Sequence, residues 1–233
     1  MIVRRTRAGS RAPAPAPARA RSSVRPDCRA LLTRQRRFSY RQNPMPSQVT
    51  AEAEEVLAVL GACEDAVIGV WLDGGWGVDA LLGSHTRPHR DIDIVVPLRD
   101  IDRLLLALHP LGYAMAEDHL PTQAVLRSID GREVDVHPVA LDDHGDGWQA
   151  QASPDGSDCR YPANGFVTGT IAGHVVPCLS TEVQVAHHMG YRPRPHDRED
   201  MHRLAAAFGI ELEHPYRAES SRAPAMVDPP SPA

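Results

Sequence analysis

The stretch WLDGGWGVDALLGSHTRPHRDIDIVV, Trp71 to Val96, decides how this chain is read. It holds a Gly-Gly pair, a short apolar helix-like run, a basic patch, and then Asp91 and Asp93 inside a segment that otherwise looks like a buried strand. Side chains on a strand alternate faces, so Asp91 and Asp93 point one way while Ile92 and Ile94 point into a core. Two carboxylates on one face repel each other and lose hydration, and a divalent cation is the obvious compensation. Mg²⁺ takes oxygen ligands, usually one or two carboxylates together with phosphates and waters.

Working outward, Asp135 sits in EVDVHPV (133–139), again between apolar residues with strand alternation. A third inward carboxylate on a neighbouring strand would complete a metal site or act as a base beside one. His137 follows at strand spacing and shares that face, where it would orient Asp135 or touch substrate. Gly74 and Gly75 follow a predicted strand and form a tight turn into a helix over 76–83. Glycine there lets backbone amides approach a phosphate, and a helix N-terminus favours an anion. Strand, Gly-Gly, helix, then Asp-x-Asp on the next strand suggests a nucleoside triphosphate, held by amides at one end and through Mg²⁺ to carboxylates at the other. Asp73 reads as a cap for that helix, and Asp79 as structural. His187, His188, His196 and His202 read as surface or substrate-facing histidines, since no H-E-x-x-H accompanies them. Trp71 and Trp76 read as core.

The rest of the chain frames this block. A helix is expected from Ala51 to about Ala62 with Thr50 as its cap, and a strand over 67–72. A strand over 91–96 stops at Pro97, and a helix follows over 99–112. Strands are expected over 113–118, 123–129 and 132–141, the last two joined by a hairpin at Asp130-Gly131. After a loop-rich stretch comes a second hairpin through Ala172-Gly173, a helix over 181–190 capped by Ser180, a loop at 192–197 and a final helix from Arg198. The fold class is α/β (α+β), a mixed sheet flanked by helices. Residues 1–44 are expected to be a disordered Arg/Pro-rich tail, or sequence upstream of a true start at Met45. The domain is expected over 45–213, with a disordered tail over 214–233.

Composition narrows the partners. All 25 basic residues are arginine, so any cationic contact to phosphate must come from a guanidinium. Residues 1–44 carry twelve arginines and one acid; the whole chain is −5, which leaves −16 on residues 45–233. So acidic a body should repel nucleic acid and attract cationic small molecules or metal ions. No apolar run is long enough to span a membrane. Four scattered cysteines without a C-x-x-C pair fit a reducing compartment, so the cytoplasm is expected.

The glycine pair, the Asp-x-Asp and the later carboxylate resemble the nucleotidyltransferase superfamily of polymerase-β type. More closely, WLDGGWGVDALLG, RPHRDIDI, VDVHPVALDDHG and VPCLSTEVQVAHHMGY resemble the small lincosamide nucleotidyltransferases, and more loosely the aminoglycoside 2''-adenylyltransferases, over about residues 50–208. The resemblance implies a nucleotidyltransferase fold. It also implies transfer of a nucleoside monophosphate, usually AMP from ATP, to an antibiotic hydroxyl with release of pyrophosphate. By the same resemblance Asp91 and Asp93 are metal ligands, and Asp135 is a metal ligand, general base, or both. Gly74 and Gly75 match the phosphate-contacting turn, and Arg87 and His89 match the segment in front of the metal site, on the nucleotide side. The implied partners are ATP with Mg²⁺ and a cationic antibiotic, with neither nucleic acid nor membrane, while a homodimer stays open. Two alternatives stand beside this reading. A protein-AMPylating enzyme of toxin–antitoxin type sits poorly with the acidic body, and a non-catalytic nucleotide-binding relative with the intact carboxylate set.

Overall fold

The computed structural model describes residues 50–153, 155–189 and 191–217, all within the unit Pro46–Ala233. The expectations for residues 1–44 lie outside the described residues, as do those for the C-terminal tail beyond 217.

Helix α1 spans Ala53–Asp65 and buries Val56, Val59, Leu60 and Cys63, the three-to-four spacing of one helical face. It starts later than Thr50 predicts. The Ala51 amide donates to the His89 carbonyl at 2.8 Å, an isolated bridge that holds this backbone extended. Strand β1 is only Trp71–Leu72, not 67–72. Val67 takes a left-handed φ of 56°, and the Arg103 guanidinium donates to the carbonyls of Ala66 and Val67, so this part of the segment serves as a connector. Helix α2, Gly74–Leu82, is capped by Asp73, whose side chain accepts from the Gly74 amide, and ends at Gly83 in the left-handed region. Gly74 and Gly75 are therefore its first residues rather than a separate turn before it.

Strand β2 is Asp91–Pro97. Helix α3, Ile101–Leu108, is flanked by 3₁₀ turns at Leu98–Asp100 and His109–Leu111; Pro110 falls in the second of these instead of in the helix. Strands β3 (Tyr113–His119), β4 (Gln123–Ser128) and β5 (Glu133–Leu141) follow. Two short strands, β6 (Gly147–Gln149) and β7 (Cys159–Tyr161), form in the loop-rich stretch. Then come β8 (Phe166–Ile171), β9 (His174–Leu179), α4 (Thr181–His187) and α5 (Pro195–Phe208). Helix α5 begins three residues before the expected Arg198, with Pro195 in its first turn, where its missing N–H costs nothing. Packing also continues past residue 213: the Tyr216 ring is buried against Val78, Met201 and Leu204.

The sheet runs β3-β4-β5-β2-β1-β9-β8, with β6 on β5 and β7 on β6. Pairs β2–β5 and β1–β9 are parallel and the others antiparallel. One face of β2 and β5, presenting Ile92, Ile94, Val134 and Val136, belongs to the main core with α1 and α3. Alternation turns Asp91, Asp93, Asp135 and His137 to the other face, where Val95 and Val139 join a smaller core under α4. No helix among the described residues is long and apolar enough to cross a membrane.

Candidate active site

The parallel register of β2 on β5 sets Asp93 directly opposite Asp135 and Val95 opposite His137. The carboxylates of adjacent strands are thereby neighbours on one face. Asp93, Asp135 and His137 each offer a ligating atom within 4.8 Å of the others. Both Asp135 oxygens accept from Gln123 Nε2, at 2.8 and 2.7 Å. Burial pushes the Asp135 carboxyl above its usual range; His137 and Gln123 pull it back, and the charges of Asp93 and Asp91 push it further up. His137 Nε2 lies 3.4 Å from Asp93 Oδ1. Burial alone would lower its ring, but the bond to Asp93 and the charges of Asp135, Asp93 and Asp73 outweigh that and push it up to about 9. Asp91 lines the same cavity but is not in that group; its Oδ2 pairs with Arg90 Nη2 at 2.9 Å. The donor set is largely carboxylate oxygen, which suits Mg²⁺, and the like-charge pressure on Asp135 is what a cation would relieve.

The glycines fit against these side chains. A Cβ on Gly74, whose φ is +54°, would stand 2.3 Å from Asp93 Oδ2. A Cβ on Gly75 would stand 2.2 Å from His89 Nδ1 and 2.9 Å from Arg87 Nη2. Only glycine lets the start of α2 lie this close to the carboxylate and to the residues before β2. Arg87 and His89 both line the cavity, yet each is engaged within the protein. Arg87 grips the buried Asp200 through Nε and Nη2, the shortest contact 2.6 Å. His89 is buried, with Nε2 2.6 Å from Asp79 Oδ2, while Asp79 Oδ1 accepts from the amide and hydroxyl of Thr86. The His89 Nδ1 has no partner. Asp79 is thus structural, as its place in the helix suggested.

The cavity has a volume of about 940 Å³ and reaches from the carboxylates to Tyr191 and Asp197. Sequence reasoning missed much of its wall. Gln149 is buried and donates to the Thr122 carbonyl at 2.8 Å; its amide nitrogen lies 3.3 Å from His137 Nδ1, and its oxygen accepts from the Tyr161 hydroxyl at 2.6 Å. Asp73, besides capping α2, stands 4.0 Å from His187 Nδ1 in the cavity wall. Burial would raise the Asp73 carboxyl, but His187, His137 and the Gly74 amide lower it to about 2. The remaining C-terminal histidines make separate local contacts: His188 with the Gln184 carbonyl, His196 with Asp197, His202 with the Tyr216 carbonyl. Among the described residues they form no metal-holding group. Nothing in the local sequence marks Gln123, Gln149 or Tyr161; only sheet register brings them to His137 and Asp135.

Residues 55–204 match the family model described as aminoglycoside-2''-adenylyltransferase. A lincosamide resistance protein of Staphylococcus haemolyticus is 32% identical over 151 residues, which cover 65% of this chain and 92% of that protein. A 2''-aminoglycoside nucleotidyltransferase of Klebsiella pneumoniae is 30% identical over 133 residues, covering 57% of this chain and 70% of that protein. The crystal structure of the lincosamide antibiotic adenylyltransferase LnuA, lincomycin-bound, superposes with a TM-score of 0.61 at 30% identity, covering 68% of this chain and 99% of that one.

Proposed function

The chain belongs to the aminoglycoside-2''-adenylyltransferase family and has a nucleotidyltransferase fold, and from that premise we propose that it transfers AMP from ATP to a hydroxyl of a lincosamide or aminoglycoside, releasing pyrophosphate. The observation that carries this reading is the Asp93–Asp135 register with Gly74 packed against Asp93 in a large cavity. Asp91, Asp93 and Asp135 would hold Mg²⁺. The chemistry it supplies when bound is charge neutralisation on the triphosphate and polarisation of the reacting phosphoryl group. The first turn of α2 would receive phosphate oxygens: the Gly74 amide is held by Asp73 Oδ1, so Gly74 serves by letting the turn come close, and the Gly75 amide would face the phosphate. Arg87, steadied by Asp200, would add positive charge on the nucleotide side, with His89 packed under Gly75.

Asp135 is the residue assigned to remove the acceptor proton. A hydroxyl attacks poorly until its proton leaves, and a carboxylate within hydrogen-bond reach can take it as the bond to phosphorus forms. Gln123 holds that carboxylate in place through both oxygens, and His137 stands beside it, able to orient Asp93 or meet substrate. The basic amines of such antibiotics suit an acidic body and a cavity rimmed by Asp73 and Asp197. The reading places the enzyme in the cytoplasm, with ATP and antibiotic as its partners.

The test is a mass-shift screen with ATP, Mg²⁺ and a panel of antibiotics, in which one compound gains one AMP. Asp135→Asn should abolish that gain while ATP·Mg²⁺ binds within about tenfold of wild type, roughly 1.4 kcal/mol. Collapse of nucleotide binding in this variant would make Asp135 chiefly a metal ligand and defeat the base assignment. Persistence of transfer would defeat its role altogether.

A further inference from the structure

Beside the Asp93–Asp135 pair the cavity has a second polar wall. Cys159 opens β7 and His187 closes α4, and His187 Nε2 lies 3.5 Å from Cys159 Sγ. The other ring nitrogen faces Asp73 Oδ2 at 4.0 Å. Tyr161 packs edge-on to the same imidazole, with ring centroids 4.3 Å apart. All four residues line the cavity. A thiol, an imidazole and a carboxylate thus stand in series, the order in which an activated nucleophile, its ring partner and an orienting acid are built. The two other described cysteines are placed differently. Cys63 and Cys178 are sealed in the core, where burial pushes their thiols up to about 12 and about 11.

We propose that Cys159 is a covalent modification site, whose sulfur, backed by His187 and through it by Asp73, captures small soft carbon electrophiles that enter the cavity. With iodoacetamide the sulfur attacks the methylene carbon, an S–C bond forms, the C–I bond breaks, iodide leaves, and the thiol proton passes to solvent. His187 supplies the counter-charge for the sulfur as that proton goes. Burial alone would strip the ring of its proton, but Asp73 and Cys159 keep it charged up to about 10. This inference stands on the thiol wall and does not depend on the transfer reaction.

The full chain in a Cys28→Ser background is treated with iodoacetamide at pH 7, and adducts are located by peptide mass mapping over time. A short peptide with the sequence around Cys159 serves as the unstructured reference. Cys159 should react at least tenfold faster than the peptide, with Cys63 and Cys178 unmodified until denaturant is added. His187→Gln should bring the Cys159 rate down to that of the peptide. A wild-type rate at or below that of the peptide overturns the proposal, and so does an unchanged rate in folded His187→Gln protein. Should that variant fail to fold, the wild-type comparison with the peptide decides alone.

Discussion

Replacing Gly74 with alanine separates the carboxylate site from the scaffold that holds it. Its φ of +54° is left-handed, where a Cβ costs about 1–2 kcal/mol. The new Cβ would also lie 2.3 Å from Oδ2 and 2.9 Å from Cγ of Asp93, where ordinary contact begins at 3.4 Å, so one group must retreat by about 1 Å. The backbone is pinned on both sides. The Asp73 amide donates to the Asp93 carbonyl at 2.9 Å, and the Gly74 amide donates to Asp73 Oδ1 at 2.8 Å. The Asp93 side chain is what gives way, and it leaves its place opposite Asp135. Misplacing a reacting group by about an ångström costs on the order of 10²-fold in rate. Gly74→Ala should therefore lose about 1–2 kcal/mol in urea unfolding and about 10²-fold in AMP transfer followed by mass spectrometry. Gly83→Ala is the matched control: its φ is +65°, but its Cβ would meet nothing within 4 Å, so it incurs the backbone strain alone. Near-normal transfer by Gly74→Ala would refute the reasoning, as would equal losses of activity in both variants.

Two further predictions concern buried charges. Asp79→Ala should lower stability by about 3 kcal/mol, because the fully buried carboxylate is the partner of His89 Nε2 and Thr86, and its removal leaves the His89 ring with no bonded nitrogen; a shift in the urea midpoint worth less than about 1 kcal/mol would show that the pair does not hold the start of β2. The stability difference between wild type and His187→Gln should depend on pH. The folded ring is raised to about 10, so its contribution is fully present below the unfolded value of 6.5 and is lost as pH rises through about 10. The Asp73 half, depressed to about 2, is present above 3.8 and lost as pH falls toward 2. The difference should thus be greatest between about pH 4 and 6.5, and urea titrations giving a constant difference from pH 6 to 10 would sink this assignment.

Much of the site was legible in local pattern. Period-two alternation in DIDIVV and EVDVHPV was enough to put Asp91 and Asp93 on one face, and Asp135 and His137 on one face, because a strand turns each successive side chain over whatever it pairs with. Turn chemistry likewise announced the hairpins at Asp130-Gly131 and Ala172-Gly173 and the Ser180 cap, since each rests on backbone angles or on bonds to residues close in the chain. Local pattern failed where a distant partner overruled it. Thr50 has the chemistry of a cap, but Ala51 is held by His89, and the apolar run 67–72 finds strand pairing only at Trp71 and Leu72.

What tertiary structure alone decided is which faces meet. Alternation cannot say that β5, already paired with β4, also lies parallel to β2 with Asp135 beside Asp93. Nor can it say that Gly74 abuts Asp93, that Arg87 is committed to Asp200, or that Gln149 and His187, drawn from separate elements, complete the cavity wall. Face and turn are set by the sterics of a few adjacent residues. Strand order and register are set by the burial of the whole apolar surface at once, and that sum has no local signature in the chain.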